Sequence, residues 1–248
     1  MKTVAIIMLL CAALVEPGGT SQTPEHRFVD AVGHMAVKDK NTDRVAFFRG
    51  RQAAHVKRST NEKVDVTNDE KKVLKKITEK IDAILYWPKR HTTYYFHGAN
   101  YFAEAEEGAQ WTYTIASHWH LSDNDFHSYL DAAMMGERPH ISYFFKGSKV
   151  LKYNIDKDET MFVKEIKEVF WMFPKYFHQD IDAAVKWNES VAYIFKGCNY
   201  LELPMKAERG KMPIFKDGKV GDAFYTLGYL HLIKQVGDGQ RVLSAKLN

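Results

Sequence analysis

Asp182-Ala183-Ala184-Val185-Lys186-Trp187-Asn188-Glu189-Ser190-Val191-Ala192-Tyr193-Ile194-Phe195-Lys196-Gly197 is the most legible unit of the 248-residue chain. Ala183 to Trp187 reads as a strand crowded by its neighbours, Lys186 to Ser190 as a polar turn, and Val191 to Phe195 as an aromatic strand. Gly197 ends that strand, because a tight hairpin needs a positive φ that glycine adopts without steric cost. Asn199 to Leu203 is then the strand that returns.

The same unit recurs upstream. Asp-Ala occurs at Asp30-Ala31, Asp82-Ala83, Asp131-Ala132 and Asp182-Ala183, and Phe-x-Gly at Phe48-Arg49-Gly50, Phe96-His97-Gly98, Phe145-Lys146-Gly147 and Phe195-Lys196-Gly197. The first marker is spaced by 52, 49 and 51 residues and the second by 48, 49 and 50, so two unrelated signals keep one register. An apolar residue precedes each Asp: Val29, Ile81, Leu130 and Ile181. Four units of one period, mostly strand, predict an all-β fold: a four-bladed β-propeller with short helical connectors, whose blades bury their faces against one another. A β-sandwich is the alternative, but nothing in it calls for a fourfold register. The blades are expected near 28–80, 81–126, 127–179 and 180–248.

One connector is explicit. Thr67 and Glu70 form a capping box ahead of Val73, Leu74 and Ile77, which share one face of a helix. Lys71, Lys72, Lys75, Lys76 and Lys80 fall on its solvated face; with Asp69, Glu70 and Glu79 interleaved, that run reads as solvation rather than as a phosphate or heparin site.

At the start of the chain, Met1-Lys2-Thr3 leads into an apolar run from Val4 to Val15 and then Pro17-Gly18-Gly19-Thr20-Ser21, the order of a secretory signal within residues 1–21. The run is too short to span a bilayer, so a secreted, extracellular protein without a membrane span is expected. Two cysteines occur, Cys11 in that run and Cys198, so no internal disulfide is expected and Cys198 reads as a small buried thiol. The 35 Lys and Arg are interspersed with 31 Asp and Glu, which gives no footprint for nucleic acid. Asn188-Glu189-Ser190 is an acceptor sequence for N-glycosylation at Asn188.

Ile166-Lys167-Glu168-Val169-Phe170-Trp171-Met172-Phe173-Pro174, continued through Phe177 to Ile181-Asp182-Ala183-Ala184, resembles the connector between blades in the hemopexin-like repeat family. With Tyr143 to Gly147 and Tyr193 to Gly197, the resemblance covers about residues 28 to 203 and is nearest to single-domain albumins. It implies a central tunnel in which the backbone carbonyls of Asp30, Asp82, Asp131 and Asp182 hold calcium. Carbonyls of Val32, Ile84, Ala133 and Ala184 form a second layer, and sodium or chloride are further tunnel ions. Without the disulfide that staples many family members, closure is expected to rest on strand pairing and packing. Residues 204 to 248, with Pro204 and Pro213, resemble the family least.

No nucleophile elbow, phosphate loop or zinc-protease helix occurs, so an enzyme is not expected. His118 and His120, two apart, would point the same way on a strand, as half a metal site would need, but with no third ligand to name they read as partly exposed sheet decoration. The aromatics Tyr94, Tyr95, Phe96, Tyr143, Phe144 and Phe145 repeat at one place per blade and read as core between blades rather than as a ligand cage. The functional expectation is a monomeric or weakly dimeric binding protein, with an ion in its tunnel and a surface for a small ligand or an extracellular protein. An abundant structural or storage albumin is the alternative, and a haem carrier is the reading with least support.

Overall fold

The computed structural model describes residues 29–35, 43–50, 52–60, 62–105, 110–205 and 216–219. The expected signal segment and most of 204–248 lie outside the described residues.

The strands form four antiparallel four-stranded sheets, each built from four strands consecutive in sequence. The first blade is β1 (Ala31–Gly33), β2 (Arg44–Arg49), β3 (Gln52–Lys57) and β4 (Glu62–Lys63). The second is β5 (Ala83–Trp87), β6 (Thr92–His97), β7 (Asn100–Ala105) and β8 (Gln110–Thr114). The third is β9 (Ala132–Met135), β10 (Ile141–Lys146), β11 (Lys149–Asn154) and β12 (Glu159–Glu165), and the fourth is β13 (Ala183–Lys186), β14 (Val191–Lys196), β15 (Asn199–Pro204) and β16 (Lys216–Lys219). The first strands of the blades, β1, β5, β9 and β13, touch one another in cyclic order and so enclose the axis of a four-bladed propeller. Gly50, Gly98, Gly147 and Gly197 all take positive φ, 52 to 58°, at the hairpin between second and third strands.

Each second strand divides its aromatic side chains between two neighbours, because successive residues of a strand point to opposite faces. On β2, Val45 and Phe47 pack with Trp187 and Phe195 of blade four, while Ala46 and Phe48 pack with Ile84 and Tyr95 of blade two. Tyr94 and Phe96 meet Phe144 and Tyr153 of blade three, and Tyr143 and Phe145 meet Ile194 of blade four. The hydrophobic core is thus four interfaces between blades. Main-chain bonds add stitches: Tyr129 N–H donates to the Gly98 carbonyl at 2.8 Å and Asp180 N–H to that of Gly147 at 2.9 Å, each from a residue with positive φ.

Closure of the ring rests on packing among the described residues. No strand pairs between blades one and four among the described residues, since every sheet is made of consecutive strands. What joins them is the interface around Phe47, Trp187 and Phe195, with Arg58 Nη1 donating to the Trp187 carbonyl and His34 Nε2 to the Lys186 carbonyl. The packing part of the expectation is thus seen, and the terminal segments 1–28 and 220–248 lie outside the described residues.

The connectors are short helices: α1 (Asn68–Lys76), α2 (Ile115–His118) and α3 (Ile166–Val169). Thr67 and Glu70 make the capping box reciprocally, with Thr67 Oγ1 accepting from Glu70 N at 3.2 Å and Glu70 Oε2 accepting from Thr67 N at 2.6 Å. Val73 and Ile77 are buried and the flanking lysines are exposed. Glu70 also accepts from Arg44 and pairs with His55, each at 3.1 Å, and both Glu70 and His55 are 1% exposed. Burial alone would raise the Glu70 pKa, but the His55 hydrogen bond and charge, the Thr67 N–H and Arg44 outweigh it and hold the carboxyl below its ordinary range. Cys198 is half-buried rather than buried, because it occupies the hairpin turn that follows Gly197. Among the described residues no helix is long and apolar enough to cross a membrane.

Candidate functional site at the two ends of the propeller axis

Asp30, Asp82, Asp131 and Asp182 immediately precede the four inner strands, which places all four at one end of the axis. Their side chains share one job, and Asp30 also pairs with Lys80 at 3.3 Å. The hairpin glycine of the same blade donates its N–H to the Asp Oδ2 in every case: Gly50 to Asp30 at 2.6 Å, Gly98 to Asp82 at 2.7 Å, Gly147 to Asp131 at 2.6 Å and Gly197 to Asp182 at 2.6 Å. The Asp N–H in turn donates to the Phe carbonyl of the Phe-x-Gly marker, at 2.8 to 2.9 Å. The two sequence markers are therefore the two halves of a latch between inner strand and hairpin. The first blade makes the same latch across 20 residues as the others make across 16, 16 and 15. This role for the carboxylates was not foreseen, although the recurrence of the two markers together in every blade carried the signal.

Committed to glycine amides, the carboxylates are not arranged as a side-chain metal site. No group of three metal-ligating His, Cys, Asp or Glu side chains occurs among the described residues. An ion at this end fits a set of main-chain oxygens, and calcium accepts such ligands. Two residues further along lie Val32, Ile84, Ala133 and Ala184, all at most 2% exposed. The inner strands approach closely there: a Cβ on Gly33 would lie 2.3 Å from Ile84 Cγ2.

The opposite end is open. A cavity of about 370 Å³ is lined by the fourth residue after each latch Asp, His34, Tyr86, Met135 and Lys186, joined by Arg58 and His91. Lys186 Nζ pairs with Glu189 at 2.9 Å, while the Arg58 guanidinium lies 3.7 Å from Asp43. Burial lowers the Arg58 pKa from its ordinary value, and the Asp43 and Tyr86 charges recover only part of that shift. Asn188 lines the same cavity, its Oδ1 accepting from Ser190 N at 2.8 Å and Val191 N at 3.0 Å.

His118 and His120 do not stand side by side on a strand. His118 ends α2, takes Ser117 Oγ at 2.7 Å and stacks on Tyr113 at 3.8 Å; His120 lies beyond the helix and pairs with Asp158 at 2.5 Å. Trp119 between them is the reason. It is drawn into the core against Phe96 and Phe144, and the helix end that admits it sends the two imidazoles to different partners.

No model of a known protein family matches the sequence, and no curated protein matches it. Solved structures do resemble the chain in fold. A hemopexin fold protein, CP4 from cow pea, superimposes with a TM-score of 0.69 at 17% identity, covering 82% of this chain and 98% of that one. A 2S albumin seed protein from Dolichos gives 0.66 at 18% identity over 82% and 98%. A plant lectin with two metal binding sites from Cicer arietinum gives 0.64 at 15% identity over 82% and 97%. The chain therefore has the hemopexin fold.

Proposed function

We propose that the protein is a secreted, non-enzymatic binding protein of albumin type. It holds calcium at the latch end of its axis through the main-chain carbonyls of Asp30, Asp82, Asp131 and Asp182, with those of Val32, Ile84, Ala133 and Ala184 as a second layer. The observation that carries the ion is the fourfold latch: four equivalent Asp residues meet at one end of the axis with their carboxylates already engaged by Gly50, Gly98, Gly147 and Gly197. A neighbour of the same fold described as having two metal binding sites supports a metal role. Calcium takes six to eight oxygens, so four carbonyls and water suffice, and extracellular modules bind it with Kd of roughly 10⁻⁴ to 10⁻³ M. At about millimolar calcium this adds only ~0.4 to 1.4 kcal/mol of stability. A small, chelator-reversible rise in Tm is therefore expected; no change in Tm, together with no anomalous scatterer on the axis, overturns the ion.

A glycan on Asn188 belongs to the secreted reading, and an intact mass of the native protein tests both glycan and signal removal. The Dolichos seed albumin of the same fold favours a second reading, an abundant storage albumin without a dedicated partner. Capture from the native fluid separates the two: a stoichiometric partner supports the binding protein, and high abundance with none supports storage.

A further inference from the structure

Each blade ends in an outer strand whose far edge has no partner strand among the described residues, and such an edge offers unpaired N–H and C=O groups to a second chain. Three of the four are guarded. β4 is only Glu62 and Lys63, both charged and exposed. β12 carries Glu159, Lys164 and Glu165 and is bent by a register shift opposite Lys152 and Tyr153, and β16 is Lys-Asp-Gly-Lys. β8 has none of these devices. It is Gln110-Trp111-Thr112-Tyr113-Thr114, without charge, proline or glycine and mostly of types that favour extended chain, and its last three residues are exposed.

The pairing of β8 with β7 shows which of its groups face outward. Ile115 N–H donates to the Ala99 carbonyl at 2.8 Å, in register with the pairs from Asn100 with Thr114 to Glu104 with Gln110. Hydrogen-bonded and non-hydrogen-bonded pairs alternate along an antiparallel ladder, so Tyr113 and Trp111 bond to β7 while the main-chain groups of Gln110, Thr112 and Thr114 point away from it. The Thr114 carbonyl accepts from Ser117 Oγ at 2.9 Å, which leaves the N–H and C=O of Gln110 and Thr112 at the open edge.

This strand is complementary to itself. Laid antiparallel across a two-fold axis at Thr112, it sets Thr112 against Thr112 of a second copy in a hydrogen-bonded pair. On either side Trp111 meets Tyr113 of that copy in a non-hydrogen-bonded pair, where side chains lie closest, and Thr pairs and aromatic pairs are both favourable across strands. No like charges meet, whereas the same operation on β12 sets Glu159 against Glu165 and on β16 sets Lys216 against Lys219. Both aromatics are held ready: Trp111 packs on the core between blades two and three, and Tyr113, 45% exposed, stacks on His118.

We infer that the protein forms a two-fold dimer by antiparallel pairing of β8 with β8 of a second copy, which joins two four-stranded sheets into one of eight. One unguarded edge per molecule closes the assembly at two, because a two-fold contact uses the same patch on both copies. The inference goes beyond the binding role and is independent of the axial ion, since the dimer can fail with the calcium response intact. Five residues make a small interface, so monomer and dimer are expected to exchange across about 1 μM to 1 mM protein. Sedimentation of the whole protein over that range, with amide hydrogen exchange at both ends of it, is the test. The amides of Gln110 and Thr112 are expected to gain protection with concentration, while those of Trp111 and Tyr113, already bonded to β7, are protected throughout. Thr112→Pro removes an outward N–H without touching the β7 ladder and is expected to weaken the dimer about tenfold or more. Should that variant fail to fold, Thr112→Lys and Thr112→Glu change only an exposed side chain. Each alone sets like charges together at the axis and is expected to weaken the dimer, and mixing the two in equal amounts is expected to restore it, which a misfolded variant cannot do. A protein still monomeric at about 1 mM, or a dimer undiminished in all these variants, overturns the inference. So does protection of the Gln110 and Thr112 amides that is independent of concentration, because a segment of the same chain then covers the edge.

Discussion

The two ends of the axis are built from the same four strands and differ in what repetition has done to them. At the latch end every blade supplies Asp and receives the glycine N–H of its own hairpin at 2.6 to 2.7 Å. At the cavity end, four residues along, the same repeat position holds His34, Tyr86, Met135 and Lys186. The first end fixes each inner strand to its own hairpin; the second carries bonds between blades one and four through His34 and Arg58, so its residues need not be alike. The difference teaches that the repeated residues make the contact every blade needs, while the unrepeated ones give the cavity end a lining of mixed chemistry.

Removing a latch is the strongest way to break that comparison. Asp182→Ala leaves the Gly197 N–H, buried at the fourth hairpin, without its charged acceptor, and a cost of about 1.5 to 3 kcal/mol is expected. Urea unfolding measures it; a cost below that of Met135→Leu at the cavity rim would remove the distinction between the ends. Midway along the axis, Gly33→Ala forces a Cβ within 2.3 Å of Ile84 Cγ2 and 2.8 Å of Ile84 Cβ, and overpacking of this kind costs about 1 to 3 kcal/mol. Its unfolding midpoint is expected to fall with an unchanged denaturant slope. Asp131→Asn separates side chain from main chain at the latch end. It is expected to lower stability while leaving the calcium-dependent rise in Tm in place, because the proposed ligands are carbonyl oxygens; loss of that rise would make the carboxylate a ligand. Met135→Leu keeps the volume of the cavity wall and is expected to cost less than about 1.5 kcal/mol.

An acid titration sharpens the comparison from outside both ends, with no effect near neutrality. Glu70 is held below its ordinary value of 4.5 in the folded protein, so its contribution to stability is full above that value and is lost as pH falls through the lower, folded one. Replacing it, Glu70→Gln, is expected to flatten the fall of stability with acid; an unchanged slope would assign the acid response to other carboxylates.

Much of this was legible in the chain. The fourfold pairing of Asp-Ala with Phe-x-Gly predicts blades, strands and hairpins because those features depend on local periodicity and on glycine at positive φ. The capping box at Thr67 and Glu70 was readable for the same reason, being contained within four residues. The reading of His118 and His120 as a strand pair failed because the burial of Trp119 overrides any local pattern. The particular packing that joins blades one and four, Phe47 on Trp187, was not legible because a repeat reads one blade at a time.

The sequence by itself determined the four-bladed propeller, since hydrophobic period, turn glycine and repeat length are properties of neighbours along the chain. Only the tertiary structure decided that the Asp carboxylates latch hairpins, and that a half-buried Arg58 lines one cavity with His34, Tyr86, Met135 and Lys186. Arg58 and Lys186 stand 128 positions apart, and what brings them to one cavity is closure of the ring, a long-range contact that no local propensity encodes.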